Sequence, residues 1–334
     1  MSWFISYNFI KYFFPIILFF STSNLPAEQL DYNITEKFYL ENRWGEFNYL
    51  EIGVNSGHKR VFVETSLTYF HKKNNEDLSY TINGNAFFVR EENGVSYYGL
   101  FIPFNLYDKI SSYTLKYSVY THEIPIFIKT AQYEVQERVW ARQDINFTPS
   151  QSSVVQNSSL SVYNEQNAYR HTLWAVRNAR PFFLKGFIHP VGTGNRVSSA
   201  FGLVRRWVLS DGTVSMINIH NGIDYPKPTG NSVFAVTDGV VCYAKMVEYM
   251  GNMIIIDHGF GIYTDYSHLN SINVSEGQYV NKGDIIGTIG ATGTVTGPHL
   301  HWGMRLNNFP LDPERLFILN EIIPEINITS PVEN

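Results

Sequence analysis

From Tyr113 to Tyr120 the chain reads Tyr-Thr-Leu-Lys-Tyr-Ser-Val-Tyr, with Tyr113, Leu115, Tyr117 and Val119 on one parity and Thr114, Lys116 and Ser118 on the other. Successive side chains of an extended strand point to opposite faces, so strict alternation predicts a half-buried antiparallel strand and argues against a helix. Strand-like runs recur over residues 30–135, punctuated by Asn55-Ser56-Gly57, Asn83-Gly84 and Asn93-Gly94. Short strands at this spacing predict an N-terminal β-sandwich-like domain; an immunoglobulin-like topology is one arrangement that the pattern leaves open.

After Pro190 the strands become shorter and glycine-punctuated, with candidates at 198–204, 232–236, 239–244, 252–257, 261–266, 284–289 and 299–306. These predict a second, mostly antiparallel β domain of about 130 residues. Residues 136–186 read as a connector, polar from Asp144 to Asn157. Within it Val162, Tyr169, Leu173 and Val176 recur at helical spacing, which predicts one amphipathic helix packed across the domain boundary. Residues 317–334 form a C-terminal tail, and the expected fold class is mainly β.

Composition narrows the function. With 44% hydrophobic and 16% charged residues the chain has ordinary core-forming content. Lys plus Arg number 25 against 30 for Asp plus Glu, a formal charge of -5 with no long basic run, which excludes nucleic acid as the expected partner. The lone cysteine, Cys242, rules out an intramolecular disulfide and any cysteine-based zinc cluster, and its apolar neighbours place it in a strand core. Residues 1–20 are rich in Phe, Ile and Leu with Lys11 as their single charge, and Ser21-Thr22-Ser23 and Leu25-Pro26-Ala27 follow. This reads as a secretory signal over residues 1–27, with an uncleaved anchor through residues 1–20 as the alternative.

The chemistry concentrates in three segments. His299 and His301 are two apart, so on a strand both imidazoles share a face while Leu300 and Trp302 take the other. His220 and Asp224 lie four apart around Asn221-Gly222, which disfavours a helix and predicts a strand end and turn that bring both groups round one point. His268 closes the run Tyr263-Thr264-Asp265-Tyr266-Ser267. A catalytic zinc needs three N or O ligands with a position left for water, so two His and one Asp suffice and two His remain for proton transfer. Spacing alone does not say which His of the last pair would bind the metal.

His220-x-x-x-Asp224 followed by His299-x-His301 resembles the signature of the lysostaphin-type zinc peptidases, the LytM or M23 family of peptidoglycan endopeptidases. The similarity covers roughly residues 187–316 and includes Val197-Ser198-Ser199-Ala200-Phe201-Gly202, Asp257-His258-Gly259, Tyr266-Ser267-His268-Leu269 and the run from Gly290 to His301. The resemblance implies zinc ligation by His220, Asp224 and His301, with His268 and His299 as a catalytic pair that does not bind metal. It implies one Zn2+ per chain, peptidoglycan as substrate and a periplasmic or envelope location. The export signal and two-domain layout resemble Gram-negative enzymes acting on D-Ala to meso-diaminopimelate links. Some proteins with this domain are non-catalytic regulators that have lost ligands, and none is missing here. His258 reads as structural, and Trp302, Tyr263 and Tyr266 read as core before groove. The N-terminal domain is expected to bind the wall or another envelope protein, or to cover the groove.

Overall fold

The computed structural model describes residues 33–55, 61–73, 76–121, 124–157, 178–194 and 196–323. The alternating N-terminal strands pair into two four-stranded antiparallel sheets. One runs in the order β1 (Asn33–Phe38), β2 (Phe47–Asn55), β6 (Val95–Pro103), β5 (Phe87–Glu92). The other runs β4 (Glu76–Asn85), β3 (Phe62–Lys73), β7 (Ile110–Thr121), β8 (Ile124–Glu134). Between them Leu50, Ile52, Val54, Leu100 and Ile102 meet Val63, Leu67, Tyr69 and the predicted parity of β7, Tyr113, Leu115, Tyr117 and Val119. Burying side chains of this size stabilises by about 1.5–3 kcal/mol each before chain entropy is counted.

Strand β2 is buried on both faces, which its sequence does not advertise because Asn48 and Glu51 interrupt the apolar run. Both polar groups are partnered, as burial requires. The Asn48 side chain accepts from Leu40 N (3.1 Å), and Glu51 holds Arg90 through two contacts of 2.5 and 3.1 Å. On the second face of this sheet Phe47, Tyr49, Phe87 and Phe101 join the same core as Phe183, Phe187, Tyr266 and Trp302. Phe87 stands 5.2 Å from Phe183 and 5.1 Å from Phe260 between ring centroids, the edge-on and tilted geometries that aromatic quadrupoles favour. Hydrophobic burial is therefore continuous from the sandwich into the C-terminal region.

The polar stretch expected to be a bare connector is more ordered than that. Residues Arg142–Asn146 form β9, pairing in parallel with β10 (Val204–Val208), which pairs antiparallel with β11 (Val214–Ile219). With one apolar residue in five, β9 carries no periodic signal; its register is supplied by β10 and by Asp144, which accepts from Arg206 at 2.8 and 2.6 Å. A helix, α1, spans Pro149–Asn157. The amphipathic helix expected through Val162 to Val176 lies outside the described residues.

The C-terminal region is a nine-stranded sheet whose main path runs β12 (Gly222–Pro226), β19 (His299–Leu306), β16 (Ile262–Ile272), β15 (Gly251–Asp257), β14 (Gly239–Val247), β17 (Tyr279–Val280). Strands β13 (Ser232–Phe234), β18 (Ile285–Ile289) and β20 (Phe309–Leu311) attach beside it. The strand expected at 198–204 is instead a loop tied to Asp224 by a single bridge at Ser199, and strand pairing begins only at Val204. Gly202, at φ 81°, sends the backbone through a left-handed turn that a continuous strand cannot contain. Cys242 lies half-buried in β14 and is unbridged. Among the described residues no helix is long and apolar enough to cross a membrane.

Candidate active site

Strand register assembles the site. Asp224 on β12 stands opposite His301 on β19, which stands opposite Ser267 on β16, so three strands deliver one row of side chains to a common face. His299 and His301 share that face as alternation predicts, while Leu300 and Trp302 are fully buried behind it. His220 lies just before β12, and its backbone N–H donates to Leu203 O (2.8 Å). Its Nδ1–H donates to Ala200 O (3.0 Å), which fixes the tautomer and turns Nε2 inward.

Three donor atoms converge. His220 Nε2 is 3.1 Å and His301 Nδ1 2.9 Å from Asp224 Oδ1, and the two nitrogens are 3.0 Å apart. The other oxygen of Asp224, Oδ2, accepts from the Arg205 guanidinium, whose Nε also donates to Ser199 Oγ (3.2 Å). Burial opposes charge on Asp224, yet His220, His301 and Arg205 together hold its carboxyl well below the usual range. Burial brings His220 down to about 4. The cluster thus offers a carboxylate and unprotonated imidazole, the states a divalent cation needs. Two nitrogens and one oxygen, all buried and within 4.8 Å of one another, fit a zinc ion, with the cleft side left for water or substrate.

His268 and His299 form a second pair, 4.8 Å apart between ring centroids. His268 adopts φ 62°, an uncommon left-handed conformation for a side-chain-bearing residue, at the point where pairing between β15 and β16 is irregular. Its backbone N–H is held by Met250 O (2.8 Å) and its Nδ1–H by Thr292 O (2.9 Å). His299 Nδ1–H donates to Gly297 O (2.8 Å), and its Nε2 lies 3.8 Å from Asp224 Oδ1. Burial, reinforced for His268 by the neighbouring histidines, lowers both and takes His268 to about 3. Both rings therefore stand neutral at pH 7, with Nδ1–H bound and Nε2 able to accept a proton.

The five residues singled out from sequence thus lie together. His258 does not join them: its Nδ1–H donates to Asp238 O (2.8 Å) and its Nε2 meets Thr264 Oγ1 (2.7 Å), which uses both ring nitrogens in the core. Trp302, Tyr263 and Tyr266 are buried core residues. The walls of the cleft, about 460 Å³, come instead from residues that sequence reasoning missed, among them Arg205, Trp207, Tyr249 and Asp265, with Tyr107 contributed by the sandwich. The one local hint was the Arg205-Arg206-Trp207 run, whose parity puts Arg205 and Trp207 on the same face.

Comparison with known proteins places this geometry in context. Residues 218–313 match the model of peptidase family M23. The chain is 39% identical over 118 residues to the DD-carboxypeptidase/endopeptidase Mpg of Neisseria meningitidis serogroup B, covering 35% of this chain and 26% of that one. It is 38% identical over 124 residues to the peptidoglycan DD-endopeptidase ShyA of Vibrio cholerae, covering 37% and 28%. The chain thus spans about a quarter of the length of these curated relatives. A crystal structure assigned to peptidase M23 from Pseudomonas aeruginosa superimposes with a TM-score of 0.53 at 21% identity, over 80% of this chain and 92% of that one, and shares its fold.

Proposed function

We propose that this chain, whose residues 218–313 match the model of peptidase family M23, is a zinc-dependent endopeptidase hydrolysing peptide cross-links or stems of peptidoglycan, with D-Ala to meso-diaminopimelate bonds as its preferred target. The observation that carries this reading is the convergence of His220 Nε2, Asp224 Oδ1 and His301 Nδ1 beside two further neutral imidazoles at one cleft. His220, Asp224 and His301 would hold the ion, which when bound supplies Lewis-acid polarisation of the scissile carbonyl and lowers the pKa of water towards about 7.

The protein's own residues supply the proton path. Nε2 of His299 or His268 accepts the proton of the attacking water, and the resulting imidazolium donates a hydrogen bond to the oxyanion of the tetrahedral intermediate. The same proton then passes to the leaving amine nitrogen as the C–N bond breaks, which returns the imidazole to its neutral state. Carbonyl acceptors at Thr292 and Gly297 hold both rings in the tautomer this requires. Arg205 occupies Asp224 Oδ2 and leaves Oδ1 for the cation.

In this reading residues 1–27 export or tether the chain to the periplasmic side of a Gram-negative-type envelope. Residues 187–316 form the peptidase domain, and the 30–135 domain contributes Tyr107 to the cleft and a surface for the wall or an envelope partner. The test is a digest of purified wall sacculi by the full chain with and without a zinc chelator, reading released muropeptides by mass. Chelator-sensitive conversion of cross-linked dimers to monomers is expected. No released product from any wall chemotype together with no bound zinc would refute the enzyme in favour of a non-catalytic regulator.

A further inference from the structure

One row along from the metal row, the sheet repeats its three-strand crossing with different residues. Gly222 on β12 stands opposite Gly303 on β19, which stands opposite Asp265 on β16. Two glycines here clear space that any other residue would fill. A Cβ on Gly222 would lie 2.6 Å from both Cε1 and Nε2 of His301, so the imidazole occupies the room left over β12. A Cβ on Gly303 would lie 2.5 and 2.7 Å from the two carboxylate oxygens of Asp265, so that carboxylate occupies the room left over β19. Asp265 is buried, and its Oδ2 faces His301 Nε2 at 3.9 Å. His301 is thus flanked by carboxylates at both nitrogens, Asp224 at Nδ1 and Asp265 at Nε2.

We propose that Asp265 is a positioning residue for His301, holding its proton on Nε2 and its ring in the orientation that presents the Nδ1 lone pair to the metal. This inference rests on the metal-site reading above. A neutral imidazole carries one N–H, and the two nitrogens compete for it. Asp224 Oδ1, 2.9 Å from Nδ1, favours the proton on the nitrogen that must ligate. A carboxylate facing Nε2 provides the opposing pull, and Arg205 strengthens it indirectly by drawing charge from Asp224 through Oδ2. The glycine pair keeps the approach of Asp265 to the ring open. Nothing in the ligand motifs signals this arrangement, because Asp265 lies 36 residues before His301 and reaches it only through the β16–β19 register.

The experiment measures zinc affinity of the full chain by competition with a chromogenic chelator, alongside circular dichroism to verify the fold and 15N NMR of the His301 tautomer in the zinc-free state. Loss of an outer carboxylate on a ligating imidazole costs about 10–100-fold in metal affinity, and Asp265→Asn is expected to show a loss in that range. Gly303→Ala, which leaves the carboxylate in the chain but drives it from its seat, should reproduce the loss. Asp265→Glu should recover affinity to within about tenfold of the unaltered protein. If Asp265→Asn does not fold, the other two variants carry the comparison. Folded Asp265→Asn and Gly303→Ala chains that bind zinc within twofold of the unaltered chain, with His301 still protonated on Nε2, would overturn the role of Asp265. An unaltered chain that binds no zinc would refute the metal site and the proposal with it, an outcome distinct from intact binding in every variant.

Discussion

Gly202→Ala tests whether the loop that orients His220 is built on a close approach that only glycine permits. Gly202 has φ 81°, and a Cβ there would lie 2.0 Å from Cε3 and Cζ3 of the Trp140 ring. Its backbone N–H donates to His220 O (2.8 Å), two residues after Ala200 accepts the His220 Nδ1–H. The left-handed backbone costs an alanine about 1–2 kcal/mol. Displacing Trp140, which is packed against Phe201 and covered by the Arg138 guanidinium, adds about 1–3 kcal/mol of overpacking. The expected loss of stability is therefore about 2–5 kcal/mol. Guanidinium denaturation of the metal-free chain, followed by tryptophan fluorescence, reads the loss. Zinc titration of the folded variant should show weakened binding, because the carbonyl that fixes His220 moves with the loop. A Gly202→Ala chain within about 0.5 kcal/mol of the parent, the range of neutral surface substitutions, would refute the close-packing argument.

Other outcomes follow from the same geometry. Phe183→Ala removes the ring that meets Phe87 and Phe101 across the sandwich boundary and should cost about 3–5 kcal/mol; a loss under about 1 kcal/mol in the same denaturation would show that the two cores are not continuous. Arg205→Ala frees Asp224 Oδ2 and should weaken zinc binding about 10-fold or more by isothermal titration, whereas unchanged affinity would show that the guanidinium does not orient the ligand. Burial lowers His258 to about 4 while an unfolded histidine titrates near 6.5, so the unfolded chain binds more protons between these values. The His258 contribution is complete above pH 6.5 and is lost as pH falls towards about 4, at up to roughly 1.4 kcal/mol per pH unit. Asp257 and Asp312, raised to about 6 by burial, push the other way, so the His258 share is read as the difference in slope between the parent and His258→Asn, and identical slopes would contradict it. Chelation of the loaded protein should lower the melting temperature and abolish hydrolysis, both restored by zinc, and a chelator-insensitive melt would argue against the metal site.

Local pattern carried a large part of this protein. Period-two alternation revealed the buried face of β7, and the strand expected at 299–306 spans the observed β19, because side-chain direction in an extended chain depends only on parity. For the same reason the common face of His299 and His301 was legible, and the in-order motifs drew His220, Asp224 and His268 into one candidate set. What parity cannot carry is register between strands distant in sequence. The parallel seating of the polar strand β9 beside β10, the double burial of β2 and the loop at 198–203 were each decided by partners far along the chain. Arg205, Trp207 and Tyr249 became cleft walls in the same way, and Tyr107 entered from the loop between β6 and β7 of the sandwich. Asp265 is the sharpest case. In sequence it is one polar residue in a strand, and only its register opposite Gly303 places a carboxylate beside His301.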